Sequence, residues 1–279
     1  MLAPGAFIDG YLIEAVLGSG GVGTVCVARQ ADSGHRVALK VLNAAVSGDP
    51  VYRRRFVEEV RAARSLDHPN VVQVYGHGET ADGILWMAMQ YVHGTDADRE
   101  LRAGRMPPQR VTDIVAEVAA ALDYAHAHEL VHGDVKPPHF LLGQDGTVVL
   151  ADFGLARGTK EQTVPGEGGF VLTSAAYASP EMLRGHPVDA RSDVYSLGCS
   201  LFRLLTGKPP FFDAASKAAV VDSQLHRPAP AATRYAPWLP DRVDDVIATA
   251  MAKEPAARYP SAGELARAAI AALDPERRC

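Results

Sequence analysis

The chain has 279 residues, of which 47% are hydrophobic and 22% charged, with a formal net charge of −5. That is enough apolar material for a sizeable core in one large domain or two modest ones, and it excludes a disordered chain. The weakly acidic balance argues against nucleic acid or an anionic membrane surface as a partner.

Cys26, Cys199 and Cys279 are far apart and form no C-x-x-C pair, which fits free thiols in a reducing, cytoplasmic compartment. The N-terminal "MLAPGAFIDGYLIEAV" has no basic segment followed by a long apolar run, so no signal peptide is expected. No stretch of about 18 apolar residues points to a membrane span.

Taken in order, the first ninety residues read as β-rich with one helix. "YLIEAVLGSGGVGTVCVARQ" predicts a strand, a glycine turn and a second strand, and "HRVALKVL" (35–42) a third. "DPVYRRRFVEEVRAARSL" (49–66) predicts a helix: Asp49 can cap it, Pro50 suits its first turn, and Phe56, Val60 and Ala63 share a face. "VVQVYGHGE" and "ILWMAMQYV" predict two further strands. From "YVHGTD" (91–96) onward the texture turns helical, with helices expected over 110–128, 189–206, 241–252 and 261–273. The expectation is therefore an α+β chain, a smaller β-rich lobe (1–92) followed by a larger, mainly helical lobe (93–279).

Gly18, Gly20 and Gly23 fit G-x-G-x-x-G, with Val25 behind them. A dinucleotide-binding fold needs a helix straight after such glycines, and here a β-rich segment follows. The other use of the pattern is a hairpin laid over nucleotide phosphates, which calls for a cation on the next strand. "VALK" supplies Lys40, and the 50–66 helix offers Glu59, or in second place Glu58, as its acidic partner. "DFG" at 152–154 places Asp152, an oxygen ligand for a hard cation, after an apolar run. "SPE" (179–181), "RSDVYSLG" (191–198) and "RYPSA" (258–262) follow. Asp193 is well placed to brace a loop backbone, and Arg258 to pair with Glu181.

With these motifs in this order, almost the whole chain resembles a eukaryotic-like protein kinase catalytic domain. "LLTGKPPF" and "MAKEPAARYPSAGEL" look most like bacterial Ser/Thr kinases of the actinobacterial receptor type. The resemblance implies a two-lobed fold, its N-lobe a five-stranded antiparallel sheet plus one helix. It also implies ATP with Mg²⁺ or Mn²⁺, and transfer of the γ-phosphoryl group to Ser or Thr of proteins, the kinase itself included. Adenine is expected at the backbone of Gln90, Tyr91 and Val92 behind Met89, with Leu17, Val25 and Ala38 above it and Leu141 below. A dimer through the N-lobe, and a place as the cytoplasmic part of a longer membrane-anchored protein, are compatible with it.

The family's catalytic loop reads H-R-D-x-K-P-x-N, and here it is "HGDVKPPH" (132–139). Asp134 matches the base and Lys136 the cation that steadies the γ-phosphate. Gly133 replaces the arginine that would pair with a phosphorylated activation segment. His139 replaces the asparagine that offers an oxygen to metal, and imidazole is a poor ligand for Mg²⁺. The segment to Glu181 carries Thr159, Thr163 and Thr173 as candidate phosphosites, and Ser174 where threonine is usual, able to bridge Asp134 and Lys136. Gly133 and His139 also raise a rival reading, a nucleotide-binding scaffold without catalysis; a small-molecule phosphotransferase fits the "SPE" segment and Lys136 less well.

Overall fold

The computed structural model describes residues 2–104, 106–153 and 174–273. Thr159, Thr163 and Thr173 lie outside the described residues.

The N-terminal part is one antiparallel sheet built from β1 (Phe7–Ile8), β2 (Tyr11–Ser19), β3 (Gly23–Gln30), β4 (Arg36–Leu42), β5 (Val74–Glu79) and β6 (Leu85–Gln90), in the spatial order β1-β2-β3-β4-β6-β5. It therefore has six strands rather than the five expected. The two-residue β1 pairs Phe7 with Leu12 and Ile8 with Tyr11, and is too short to leave a periodic signal.

Period-two alternation sorts the side chains of this sheet onto two faces. On β4, Val37, Leu39 and Val41 join an outer cluster with Cys26, Ala28, Trp86 and Ala88. Ala38 and Leu42 face the main core with Met87 and Met89, and Lys40 shares their side. A one-residue slip would turn Lys40 away from the cleft.

A short helix α1 (Ala44–Ser47) leads into α2 (Pro50–Arg64). Asp49 caps α2 as its sequence suggests, accepting the N–H groups of Val51 at 2.8 Å and Tyr52 at 3.2 Å. Tyr52, Phe56, Val60 and Ala63 form its buried stripe, which packs on the sheet beside β5. Burying a side chain such as Phe56 contributes about 1.5–3 kcal/mol.

The chain then crosses into a three-stranded sheet, β7 (Gly94–Asp96), β8 (Phe140–Gly143) and β9 (Val148–Leu150), interrupted by α3 (Ala97–Arg102) and the long α4 (Pro108–Ala127). Among the described residues the helices α5 (Pro180–Leu183), α6 (Ala190–Thr206), α7 (Lys217–His226), α8 (Arg242–Ala250) and α9 (Ala262–Leu273) follow. The central one is α6. It starts at Asp189, which accepts the Arg191 N–H at 2.9 Å, stops at Gly207 with φ of 75°, and is buried on all sides over most of its length. Gly198 lets α8 approach closely, since a Cβ there would stand 2.6 Å from that of Ala250. Asp123 of α4 accepts the Ala262 and Gly263 N–H groups, both at 2.9 Å, and so ties the start of α9 to α4. Among the described residues no helix is long and apolar enough to cross a membrane.

Candidate active site

The candidate groups converge where the sheet meets the helices. The glycine turn between β2 and β3 is closed by Gly20 N–H donating to the Gly23 carbonyl at 2.8 Å. Gly23 is required by contact: a Cβ there would meet the Val41 carbonyl oxygen at 2.3 Å. Asn43 pins the turn by donating its amide to the Gly21 carbonyl, and its own N–H to Val22 at 2.9 Å. The side chain of Asn43 also caps α1, which is the one signal its sequence context carried.

Strand register places the cleft-facing residues. Lys40 lies opposite Val25 on β3 and Met87 on β6, and Ala38 opposite Met89. Met89 is buried; Gln90, Tyr91 and Val92 are half-buried, and Leu141 packs from β8 against the same core. Leu17, Gly18 and Gly20 are exposed on the outer hairpin.

Lys40 differs from expectation. Its ammonium pairs with Asp152 Oδ1 at 2.8 Å and not with Glu59, which is half-buried on α2; Glu58 is exposed. The backbone at Asp152 is left-handed, with φ of 65°, and its carboxylate reaches Lys40 on β4. Burial would raise the Asp152 pKa, but the Lys40 ammonium, with His139 and Lys136 adding to it, holds it well below the ordinary carboxylate range. Phe153 next to it is buried, its ring 4.6 Å from that of His132 and in a small cavity with Val60, Ala63, Met87 and Met89.

The catalytic-loop candidates hang on one buried carboxylate. Asp193 of α6 accepts the backbone N–H groups of His132 and Gly133, both at 2.8 Å, and His126 Nε2 at 2.7 Å. Burial would push the Asp193 carboxyl up; the His126 hydrogen bond and the nearby His132 ring outweigh that and lower it. His126 was not singled out from sequence, because its partner is 67 residues away along the chain. His132 Nε2 donates to the Ala151 carbonyl at 2.9 Å while its Nδ1 accepts the Asp134 N–H at 3.1 Å, so both ring nitrogens are used. Gly133 takes φ of 78°, where a side chain would be strained.

Asp134 Oδ2 accepts from Lys136 Nζ at 2.7 Å, and the same ammonium donates to Ser174 Oγ at 3.0 Å. A carboxylate, an ammonium and a hydroxyl thus form one short chain at the cleft. His139 is largely buried. Its Nδ1 donates to the Asp134 carbonyl at 2.9 Å, and its Nε2 stands 3.4 Å from Asp152 Oδ2. Burial and the Lys136 ammonium push the imidazole pKa down to about 4, so the ring is neutral at pH 7.

The backbone from Ala175 to Ala178 is buried and anchored from behind. Glu181 makes a two-bond pair with Arg258, at 2.6 and 2.8 Å, and accepts Ser192 Oγ at 2.5 Å. Burial acts to raise its pKa, but the hydrogen bonds of Arg258 and Ser192 bring it down to about 2. A second tether was not legible in the sequence: Lys253 Nζ donates to Tyr195 Oη at 3.0 Å, Tyr195 to Gln224 Oε1 at 2.5 Å, and Gln224 Nε2 to the Ala176 carbonyl at 2.6 Å.

Comparison with known proteins gives the family. The family profile described as protein kinase domain matches residues 11–268. The serine/threonine-protein kinase PknJ of Mycobacterium tuberculosis is 49% identical over 277 residues, which is 98% of this chain and 47% of that protein. PknF of the same organism is 42% identical over 274 residues, covering 96% of this chain and 57% of the relative. The chain thus spans about half the length of these curated relatives. Among solved structures, the kinase domain of Mycobacterium tuberculosis PknI superposes with a TM-score of 0.78 at 34% identity, covering 96% of this chain and 98% of that one. With a family match over most of its length and its cleft residues so placed, the chain belongs to the protein kinase domain family.

Proposed function

We propose that this domain transfers the γ-phosphoryl group of ATP to serine or threonine hydroxyls of proteins, its own included. The observation that carries the reading is the Asp134–Lys136–Ser174 chain, with the Lys40–Asp152 pair on the other side of the His139 ring. The relatives PknJ and PknF, named as serine/threonine-protein kinases, support the substrate class.

Each residue has a role that follows from its chemistry. Asp134 accepts the proton of the attacking hydroxyl and orients it. Lys136 steadies the transferring phosphoryl charge, and its bond to Ser174 keeps that ammonium in place. Lys40 holds the nucleotide phosphates, and Glu59 is the acidic partner proposed for it once Asp152 turns to metal. The hairpin turned by Gly18, Gly20 and Gly23 lies over the phosphates. Leu17, Val25 and Ala38 lie above the adenine, Leu141 below it, and the backbone of Gln90, Tyr91 and Val92 along its edge. Thr159, Thr163 and Thr173 are proposed phosphosites, and Glu181 anchors the segment that meets substrate.

Asp152 and His139 are the residues that would hold a divalent cation. Their donor set, one carboxylate oxygen and one neutral imidazole nitrogen, fits such an ion, Mn²⁺ better than Mg²⁺. When bound, that ion neutralises charge on the phosphates. Cys26 and Cys199 are buried free thiols, in keeping with a cytoplasmic setting. The exposed Phe7 and Leu12 at the sheet edge are the N-lobe surface on which pairing with a second copy would be sought by sedimentation.

The test is transfer of labelled γ-phosphate to protein in Mg²⁺ and in Mn²⁺, with Asp134→Asn as control. Transfer lost in the variant supports the reading. If neither metal gives transfer while nucleotide still raises the melting temperature, the domain is a scaffold.

A further inference from the structure

The segment that starts at Ser174 is held at three successive points. Ser174 Oγ accepts from Lys136 Nζ at 3.0 Å, the Ala176 carbonyl from Gln224 Nε2 at 2.6 Å, and the Tyr177 carbonyl from Ser196 Oγ at 2.8 Å. The first hold belongs to the cleft and the third to α6. The second comes from α7, whose buried residues are Val220, Ser223 and Gln224. The direction of every bond behind it is fixed. The Ala176 carbonyl can only accept, so the Gln224 amide turns its NH₂ there and its Oε1 to Tyr195. Tyr195 has one hydrogen and spends it on that Oε1 at 2.5 Å, which leaves its oxygen to accept from Lys253 Nζ at 3.0 Å. The Cys199 thiol, one turn beyond Tyr195 on α6, also bonds the Gln224 side chain. Tyr195 and Gln224 are fully buried, so a bond broken here leaves a buried polar group without its partner.

We propose that Gln224 is a positioning residue for the protein substrate: its bond to the Ala176 carbonyl holds the backbone beside which the hydroxyl-bearing chain lies, and Tyr195 and Lys253 keep its amide turned that way. The proposal rests on the reading of Ser/Thr transfer above. A hydroxyl that reaches Asp134 enters beside Lys136 and Ser174, and the chain carrying it passes the backbone that Ser174 begins. The nucleotide is read by other elements, the β2–β3 hairpin and Lys40 of β4. The Michaelis constants of the two substrates therefore respond separately, and a loss confined to one of them separates positioning from folding.

The experiment measures initial rates for wild type, Gln224→Leu and Tyr195→Phe, varying first the peptide and then ATP. The peptide is chosen from a Ser/Thr library by its rate with the wild type, and nucleotide titration counts the folded fraction. Gln224→Leu keeps a similar volume but neither donates nor accepts. Its KM for peptide should rise about tenfold while its KM for ATP stays within about twofold. Tyr195→Phe removes a single oxygen and frees the amide to turn, so the KM for peptide should rise about threefold, again without a matching change for ATP. An unchanged KM for peptide in both variants, or a rise shared equally by ATP, overturns the proposal and leaves the transfer reading standing. A wild type that phosphorylates no library member overturns that reading and the proposal with it. Where Gln224→Leu folds poorly, Tyr195→Phe decides.

Discussion

Removing the buried Arg258 should cost several kcal/mol of stability, and the loss should depend on pH. The guanidinium is buried and spends every donor: Nε on the Ala252 carbonyl, Nη1 on Glu181 and the Arg191 carbonyl, Nη2 on Glu181 and the Lys253 carbonyl. Arg258→Ala leaves the Glu181 carboxylate buried without its charged partner, held by the Ser192 hydroxyl and its own backbone N–H. Breaking a buried pair from one side costs about 3–5 kcal/mol. At about 2 °C per kcal/mol for a chain of this size, the melting temperature should drop by about 6–10 °C. The sign of the pH effect follows from Glu181. Its folded pKa is about 2, below its ordinary value of 4.5, so its contribution is full above 4.5 and is lost as pH falls through 2. That contribution amounts to about 3 kcal/mol. Without Arg258, burial, the largest single influence, outweighs the remaining hydrogen bonds and raises the carboxyl's pKa, so the variant is relieved as pH falls. The gap between wild type and variant, measured by urea unfolding from pH 7 to pH 3.5, should therefore narrow steadily toward acid. Replacing both partners, Arg258→Met with Glu181→Leu, should recover much of the loss. A gap that stays constant with pH, or one below about 1 kcal/mol, would refute the reasoning that Glu181 is held ionised by this pair.

Lys40→Met keeps the length of the side chain and removes the charge that faces Asp152, so single-turnover transfer should slow by at least about 100-fold; retained transfer would mean another cation serves the phosphates. Gly133→Ala places a Cβ on backbone at φ of 78° and should cost about 1–2 kcal/mol, read as a melting temperature lower by about 2–4 °C, whereas an unchanged value would show that the loop relaxes. Because Gly133 offers no charge to a phosphorylated segment, alanine at Thr159, Thr163 and Thr173 together should leave peptide phosphorylation within a few-fold, and a large loss traced to missing phosphate would point to another cation.

What the chain alone determined is local. Asp49 before Pro50 starts α2, the stripe Phe56, Val60, Ala63 buries its face, and Gly18, Gly20, Gly23 mark the hairpin, because caps, periodicity and glycine turns act within a few residues. The order of short motifs pointed to the kinase fold, and the pairing of Arg258 with Glu181 was legible from the motifs that carry them. The tertiary structure alone decided which carboxylate Lys40 meets, since Asp152 is 112 residues away along the chain. The same holds for the edge strand β1, for α7 with its buried Ser223 and Gln224, for the Lys253–Tyr195–Gln224 tether, and for His126 on Asp193. It also holds for His139, whose proton sits on Nδ1 only because folding brings the Asp134 carbonyl there, freeing Nε2 toward Asp152. Hydrogen-bond partners act over about 3 Å, and separation along the chain does not reveal which groups folding brings within that reach.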